Sequence, residues 1–422
     1  MSWRRNVIIL CLAQLLTMIG FSAYLPFLPY YVQELGVTDS AQVMSWVAWF
    51  NSGSAIAMMI FAPIWGGLSD RYGRKLMLVR ATLAGTVLAF LMGLTRSPSH
   101  LVVLRILQGV FCGTVSAALT LVATETPEES LGWGLGLMQT AQFVGQSLGP
   151  VVGGVAADAL GYRAVFPIAS ALMAISLSGI VFLVHEHAKP LAPRALKSTL
   201  AWRIPLSREA LQRVNRNAAV LILALAVNSF AAAVLSPVLS LFIQSLSGSE
   251  MYLGTWAGSI TAIAALTSSA AALVIGPLGD KWGQKRVLLA CVIAGALIHV
   301  PQAWVTSTVQ LLVLRAIQGI FMGGIMPTAN ALLAQTTDIS KRGTVFGLSA
   351  SAQAGGRAVG PLAGAAVAGI WGMASAFWVT AALLGSTAAL VGGLVRAPAH
   401  PDPAASPVCD QEHARAATPT CP

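Results

Sequence analysis

Three arginines lie inside long apolar segments, where an ionised side chain is unusual. Arg105 and Arg315 occupy matching positions 210 residues apart, and each is followed three residues later by a glutamine, Gln108 or Gln318. Arg357 is the third. A guanidinium in a nonpolar environment is costly unless it faces a cavity or a partner, and residues at i and i+3 share a helical face. These groups are candidates for substrate binding and proton movement; snorkelling of Arg105 to a nearby surface is the structural alternative.

Carboxylates are scarce in the same segments. A buried acid with a raised pKa is the usual means of binding and releasing protons near neutral pH, but no Asp or Glu falls inside an apolar run. The nearest acids are Glu34, Asp70, Asp158 and Asp280. Glu34 and Asp70 are the candidate proton sites, and a purely structural role is the equal alternative for each.

A charged loop occurs twice, at residues 66–75 and 276–285. Its glycines permit a tight turn. Its aspartate, Asp70 or Asp280, can pair with Arg or with the N-terminus of a neighbouring helix. Together with Arg71 and Arg74, these residues are candidates for a latch between two conformations; a simple charged hairpin is the alternative. Gln284 replaces Arg74 in the second copy, so the second latch is expected to be weaker.

A glycine–proline pattern is also duplicated, at residues 145–153 and 356–364. A soluble helix would not tolerate this density of Gly and Pro, whereas in a membrane it gives close helix packing and a kink. Two further glycines follow Arg105. The expected helix-packing positions are Gly109, Gly113, Gly145, Gly149, Pro150, Gly153, Gly356, Gly360 and Pro361.

The composition identifies the environment of these motifs. The 422 residues are 56% hydrophobic and 9% charged, whereas a soluble domain carries about a quarter charged residues. About twelve runs are long enough to cross a bilayer as helices, and they lack the alternation of a β-barrel. The sequence predicts an all-α membrane protein with 12 transmembrane helices in two pseudo-symmetric six-helix bundles related by a parallel duplication. The predicted units are residues 1–184, a cytoplasmic linker 185–216, residues 217–395 and a disordered cytoplasmic tail 396–422.

The positive charge marks topology rather than nucleic-acid binding. Of the 25 Lys and Arg behind the net charge of +10, twenty fall on the side of the N-terminus and only Arg96 and Arg163 on the other. This asymmetry follows the positive-inside rule and predicts that both termini are cytoplasmic.

The loop, the span-4 arginine pattern and the glycine–proline pattern together resemble the signature motifs of the major facilitator superfamily. The glycine–proline pattern of span 5 resembles that of the 12-span drug:proton antiporters, in which it marks exporters. The resemblance covers nearly the whole chain except the tail. It implies a central cavity between two rocking bundles and a role for Arg105 in proton coupling. It also places span 9 at the periphery, which favours a structural role for His299.

The implied cavity combines aromatic and apolar walls with a few polar groups. Gln139, Gln142 and Gln146 recur at i, i+3 and i+7 and share one face of span 5. Such a cavity suits amphiphilic substrates, because apolar contacts discriminate poorly among shapes. The expected cavity residues are Tyr24, Phe27, Tyr31, Asn51, Gln108, Gln139, Gln142, Gln146, Asn228, Arg315, Gln318, Gln353 and Arg357.

The sequence thus predicts a monomeric multi-pass transporter of the bacterial inner membrane that exports amphiphilic drugs or toxic metabolites by proton antiport. The proton gradient supplies the energy, and no cofactor, metal or nucleic acid is expected. The alternative is a permease for a defined metabolite such as a sugar or an organic anion. A membrane enzyme or receptor is disfavoured, because the spans contain no cluster of nucleophiles, metal ligands or acid–base pairs.

Overall fold

The structure is a computed structural model that describes residues 3–111, 113–127, 130–186, 215–247, 252–338 and 342–395. All regular elements within these ranges are helices. Most of the predicted linker and the whole predicted tail lie outside the described residues, so both remain predictions.

The first half contains six spans, of which the first and fourth are interrupted. In span 1, Pro26 and Pro29 lie in the first turns of new helical pieces, because proline is tolerated where an N–H has no helical partner. Span 4 is interrupted near Gly113, whose φ is 135°. Span 1 comprises Trp3–Ala23, Leu25–Phe27 and Leu28–Glu34; span 2 is Ser40–Tyr72; span 3 is Arg74–Gly93; span 4 comprises Pro98–Phe111 and Thr114–Glu125; span 5 is Leu131–Leu160; span 6 is Val165–Leu183, preceded by Tyr162–Ala164.

The second half repeats the arrangement. Within the part of the chain that the structure describes, eleven spans are long and apolar enough to cross a membrane by length and composition, and the 30-residue span 11 is the twelfth. The predicted twelve-helix fold in two halves is confirmed. Span 7 comprises Arg216–Val234 and Leu239–Ser247; span 8 is Leu253–Trp282; span 9 is Gln284–Gln302; span 10 is Thr308–Gln335; span 11 is Arg342–Trp371; span 12 is Ser375–Leu394.

Each half has an even number of spans, so it begins and ends at the same end of the bundle. We call this the linker end, and the other the opposite end. Span 5 packs on span 1 in the first half, and span 11 packs on span 7 in the second. The halves meet through spans 5 and 8 and through spans 2 and 11.

The duplicated glycines explain the close packing within each half. A Cβ added to Gly145 would lie 2.6 Å from the Cβ of Met18 in span 1, and one added to Gly356 would lie 2.6 Å from the carbonyl oxygen of Ala226 in span 7. Gly149 and Gly153 press on span 1 in the same way, as Gly360 does on span 7. Small residues therefore set these helix separations.

The two span-4 glycines behave differently. Gly109 packs against the backbone of Ser54 in span 2. Gly113 differs from the sequence-based expectation of a packing position, because the nearest atom to a Cβ added there is 3.8 Å away. Its positive φ interrupts the helix instead, a conformation that glycine adopts without steric penalty.

Candidate functional site

The opposite end is closed by a carboxylate of one half at a helix N-terminus of the other. Asp158, near the end of span 5, accepts hydrogen bonds from the backbone N–H groups of Gly254 (2.9 Å) and Thr255 (2.7 Å) and from the Thr255 hydroxyl. One turn earlier, Gly154 lies so close to span 8 that an added Cβ would be 2.6 Å from the Gly254 carbonyl oxygen. A negative charge stabilises a helix N-terminus and satisfies its unpaired N–H groups. Asp158 therefore joins the two halves.

Further hydrogen bonds close the same end. The Tyr30 hydroxyl donates to the Ser240 carbonyl oxygen (2.6 Å), and the Ser240 hydroxyl donates to the Pro26 carbonyl oxygen (2.6 Å). The side-chain amides of Gln33 and Gln244 bond to each other at 3.1 and 3.2 Å. Tyr30 and Ser240 are equivalent positions of the repeat, so the contact lies near the pseudo-symmetry axis.

The predicted amide face of span 5 lies between two packing faces of that helix. A rotation of about 100° per residue places Gln139, Gln142 and Gln146 between the glycines that touch span 1 and the Pro150–Gly154 face that touches span 8. Gln139 and Gln146 are exposed, while Gln142 is buried. This face therefore looks into the space between the halves, on the linker side of their closure.

Span 11 presents the equivalent face from the second half. Arg357 is exposed there, one turn after the buried Gln353, whose amide donates to the Ser349 hydroxyl (3.2 Å). In span 2, Asn51 donates to the hydroxyl of Ser236 (3.1 Å), which belongs to the other half. Polar groups from spans 2, 5 and 11 thus border the space between the halves.

In the first half, Arg105 belongs to a compact polar cluster. Its Nη1 donates to the Tyr24 hydroxyl (2.9 Å) and to Gln108 Oε1, and the Tyr24 hydroxyl donates to the same Gln108 oxygen (3.1 Å). The guanidinium carbon lies 4.9 Å from the centre of the Phe50 ring, within cation–π range. The structure thus brings together three predicted site residues from spans 1 and 4 around one partly buried positive charge.

The equivalent arginine of the second half has fewer partners. Arg315 is 7% exposed, and its Nε and Nη2 make no hydrogen bond to the described residues. Val234 occupies the position equivalent to Tyr24, so the hydroxyl is missing. The adjacent Gln318 instead accepts from the Gln302 amide (3.1 Å). The two clusters therefore have the same Arg and Gln positions, but the Arg315 guanidinium has fewer hydrogen-bond partners than the Arg105 guanidinium.

Several predicted cavity residues are part of the protein core instead. The Tyr31 hydroxyl bonds to the carbonyl oxygens of Met92 (3.2 Å) and Thr95 (3.3 Å), within the first half. Phe27 packs against Gly153. Asn228 is also buried in this conformation. His299, which was not expected in the cavity, is buried as well and donates to the Gly295 carbonyl oxygen (2.6 Å), consistent with a structural role. Phe27 and Tyr31 of span 1 thus pack against their own half, whereas Tyr30 of the same span takes part in the closure.

Glu34 lies away from the predicted central cavity. It is exposed and lines an open cavity of about 550 Å³ at the opposite end, together with Asp158, Tyr30 and Tyr162. It makes no hydrogen bond or ion pair to the other half among those described.

The repeated loop is held by an acid that the sequence analysis did not single out. The Glu186 carboxylate accepts from the backbone N–H groups of Arg74 (2.9 Å) and Lys75 (3.0 Å), and thereby caps span 3 from the end of span 6. The side chains of Asp70 and Arg71 lie outside the described residues. In the second copy, Asp280 accepts from the Gln284 amide (2.7 Å), four residues away in the same loop.

Comparisons with known proteins agree with this architecture. Residues 10–257 and 221–418 each match the family described as Major Facilitator Superfamily. Multidrug resistance protein MdtG of Escherichia coli is 32% identical over 383 residues, which is 91% of this chain and 92% of MdtG. The solved nucleoside transporter NupG superposes with a TM-score of 0.75 at 14% identity, covering 93% of this chain and 100% of that one. For the human organic anion transporter MFSD10 the TM-score is 0.64, at 21% identity, with coverage of 93% and 100%. By fold, by motif and by sequence, the chain belongs to the major facilitator superfamily.

Proposed function

We propose that this protein is a secondary transporter that exports amphiphilic drugs or toxic metabolites from a bacterial cytoplasm by proton antiport. The observation that carries the proposal is the construction of span 5. One helix bears the glycine–proline packing face, the amide face toward the space between the halves, and the Asp158 closure. The similarity to MdtG, a multidrug resistance protein, supports the same function.

The charge distribution supports an orientation with both termini in the cytoplasm. Lys and Arg concentrate at the linker end, as the positive-inside rule requires. In this orientation, the end closed by Asp158 and Tyr30 is the end that faces away from the cytoplasm. An exporter loads its substrate from the cytoplasmic side, so the polar faces of spans 2, 5 and 11 are positioned to meet an entering substrate.

Alternating access requires the closure to be temporary. The contacts between the halves that we describe are a carboxylate at a helix N-terminus and a few neutral hydrogen bonds, each contributing only about 1 to 3 kcal/mol. Span 8 approaches span 5 through glycines, which allow close contact without interlocking side chains. The two bundles, acting within one monomer, can therefore separate at this end and close at the linker end.

Arg105 is the interior residue that we assign to proton coupling. Among the described acids of the predicted gating set, Glu34 and Asp280 lie at the ends of the bundle. Arg105, by contrast, contacts Tyr24 and Gln108 inside it. The hydrogen bonds of this cluster join span 4 to span 1, so a change in them during the transport cycle would alter the contact between the two spans. The proton gradient is then the energy source, and no cofactor and no catalytic step are involved.

Transport in everted membrane vesicles tests this function. Vesicles carrying the protein should move a fluorescent amphiphilic drug when a pH gradient is imposed, and a protonophore should stop the movement. Arg105→Gln should abolish gradient-driven transport, whereas Arg96→Gln, which removes an exposed arginine of a loop, should not. Transport that continues at the same rate after the gradient is dissipated would overturn the proton-coupled mechanism.

A second candidate, transport of an organic anion, is favoured by the interior charges. Arg105, Arg315 and Arg357 lie within spans that carry no interior Asp or Glu. Arg315 is buried with two nitrogens unsatisfied, and an anionic group would supply charge-assisted hydrogen bonds. A transport panel of matched anionic, cationic and neutral amphiphiles, with a sugar added, separates the two candidates. Exclusive transport of the anion favours this second function.

A further inference from the structure

A groove of about 700 Å³ opens on the second half at the linker end, between spans 8, 9 and 10. Its walls are apolar, and cationic side chains lie only where it reaches the end of the helices. The wall residues that carry the argument are Ile275, Leu278, Val287, Ala294, Ile320 and Phe321. Lys281, Trp282 and Arg286 line its mouth and are exposed.

In the first half, two large side chains occupy the equivalent place among the described residues. Trp65 and Arg80 stand at the positions equivalent to Ile275 and Ala290. The Arg80 guanidinium lies 3.4 Å from the centre of the Trp65 ring, and the Trp65 indole N–H donates to the Val110 carbonyl oxygen (2.6 Å). The repeat therefore contains one filled groove and one open groove at equivalent places.

The dimensions of the open groove match one leaflet of a membrane. Lys281 is the penultimate residue of span 8, at its linker end, whereas Ile320 lies fifteen residues before the end of span 10. At about 1.5 Å per residue, the groove reaches roughly 20 Å from the mouth. Half of a hydrocarbon core is about 15 Å thick, so a single acyl chain and the start of a headgroup span this depth.

The mouth carries positive charge that the described residues leave unpaired. Neither the Lys281 ammonium nor the Arg286 guanidinium makes a hydrogen bond or an ion pair with another described side chain. Asp280, next to Lys281, accepts from the Gln284 amide and does not line the groove. The exposed indole of Trp282 lies beside these cations, in the position that tryptophan favours at the level of lipid headgroups.

We propose that this groove is a binding site for one anionic phospholipid of the leaflet at the linker end. An acyl chain lies along the apolar walls, and the phosphate contacts Lys281 and Arg286. Basic pockets between transmembrane helices recognise anionic headgroups in this way. The site lies on the outer surface of the second bundle, so it is separate from the space between the halves and does not depend on which substrate is carried.

Native mass spectrometry of the purified full-length protein tests the proposal. The probes are phosphatidylglycerol and phosphatidylcholine with identical acyl chains. Wild type should retain one phosphatidylglycerol about ten- to thirty-fold more tightly than the double variant Lys281→Gln/Arg286→Gln, with much less preference for phosphatidylcholine. The matched control is Arg5→Gln/Arg216→Gln, which removes two exposed cations at the same end but outside the groove and should bind like wild type.

A second variant tests the apolar part of the site. Ile275→Trp places an indole where the first half has one and keeps all charges, so it should also weaken retention of the lipid. Equal retention of phosphatidylglycerol by the wild type and the double variant would refute the headgroup contact. Displacement of the lipid by glycerol phosphate alone at similar concentration would show a simple anion site and would refute the acyl-chain groove. Unchanged lipid binding by the Ile275→Trp variant would also refute the acyl-chain groove.

Discussion

Asp158 of span 5 accepts hydrogen bonds from both the backbone N–H and the hydroxyl of Thr255, the third residue of span 8. The first bundle thus caps a helix of the second. This single carboxylate acts where the backbones of the two halves approach each other closely through glycines, at the end of the molecule that is closed in this conformation.

Replacement of Asp158 by Asn is expected to loosen this closure. The amide keeps the size of the side chain but removes the charge that stabilises the helix N-terminus. Because the carboxylate is exposed to water, the effect should be moderate, about a three- to tenfold rise in the population that is open at the opposite end. Pulsed electron–electron distance measurements between labels at Ser99 and Thr306, with the native cysteines replaced, report this separation.

Glu34→Gln is the matched control for that experiment. Glu34 lines the same cavity but makes no described bond to the second half, so the label distances should stay as in wild type. Identical distance distributions for Asp158→Asn and wild type would show that the carboxylate does not hold the closure.

Gly154→Val should prevent the closure sterically. A Cβ at this position would meet the Gly254 carbonyl oxygen at 2.6 Å, and backbone cannot move aside as a flexible side chain can. We expect the label distance at the opposite end to increase and transport to be lost. Gly136→Val serves as the control from the same helix, because an added Cβ there has no neighbour within 4 Å. A fully active Gly154→Val protein would contradict the assigned contact.

Tyr24→Phe should weaken transport without unfolding the protein. The substitution removes one acceptor from Arg105 and leaves the ring in place. The loss of one hydrogen bond to a charged group corresponds to about 1.5 kcal/mol, or roughly a tenfold lower kcat/KM in vesicle transport. Tyr31→Phe removes a hydroxyl that bonds only to carbonyl oxygens and a hydroxyl of its own half. It should affect stability alone, and an equal transport loss in both variants would argue against a specific role for Tyr24.

Glu186→Gln should destabilise the linker end of the first half. The carboxylate caps two N–H groups at the start of span 3, and loss of such a cap costs about 1 kcal/mol. Thermal unfolding in detergent should show a Tm lower by about 2 °C. An unchanged Tm would indicate that water replaces the carboxylate at no cost.

The sequence predicted the features that repeat along the chain. The number of spans, their pairing into halves and the packing of Gly145 and Gly356 follow from local pattern, because apolar length and small-residue spacing act within one helix or its immediate neighbour. The shared face of Arg105 and Gln108 follows from helical spacing in the same way.

Contacts between residues distant in sequence were not predictable from these patterns. Asp158 and Glu186 find their partners 97 and 112 residues away, and both look like ordinary acids at helix ends. The four-residue spacing from Gly154 to Asp158 was the available signal, since it places the acid on the packing face. Phe27 and Tyr31 were expected in the cavity because the family resemblance places span 1 beside it, and that resemblance does not say which face of span 1 packs against its own bundle.

The arginines within the spans, of which Arg315 is buried, also have an electrical consequence because those spans carry no interior carboxylate. A membrane potential does work of about 2.3 kcal/mol per elementary charge per 100 mV. In a cell that is negative inside, this work drives an anion outward and corresponds to a concentration ratio of about fifty. A cation exported by the same route would have to overcome the same field. A positive charge at Arg315 favours an anionic substrate. The membrane voltage alone would then drive part of the export of that substrate, before any proton is exchanged.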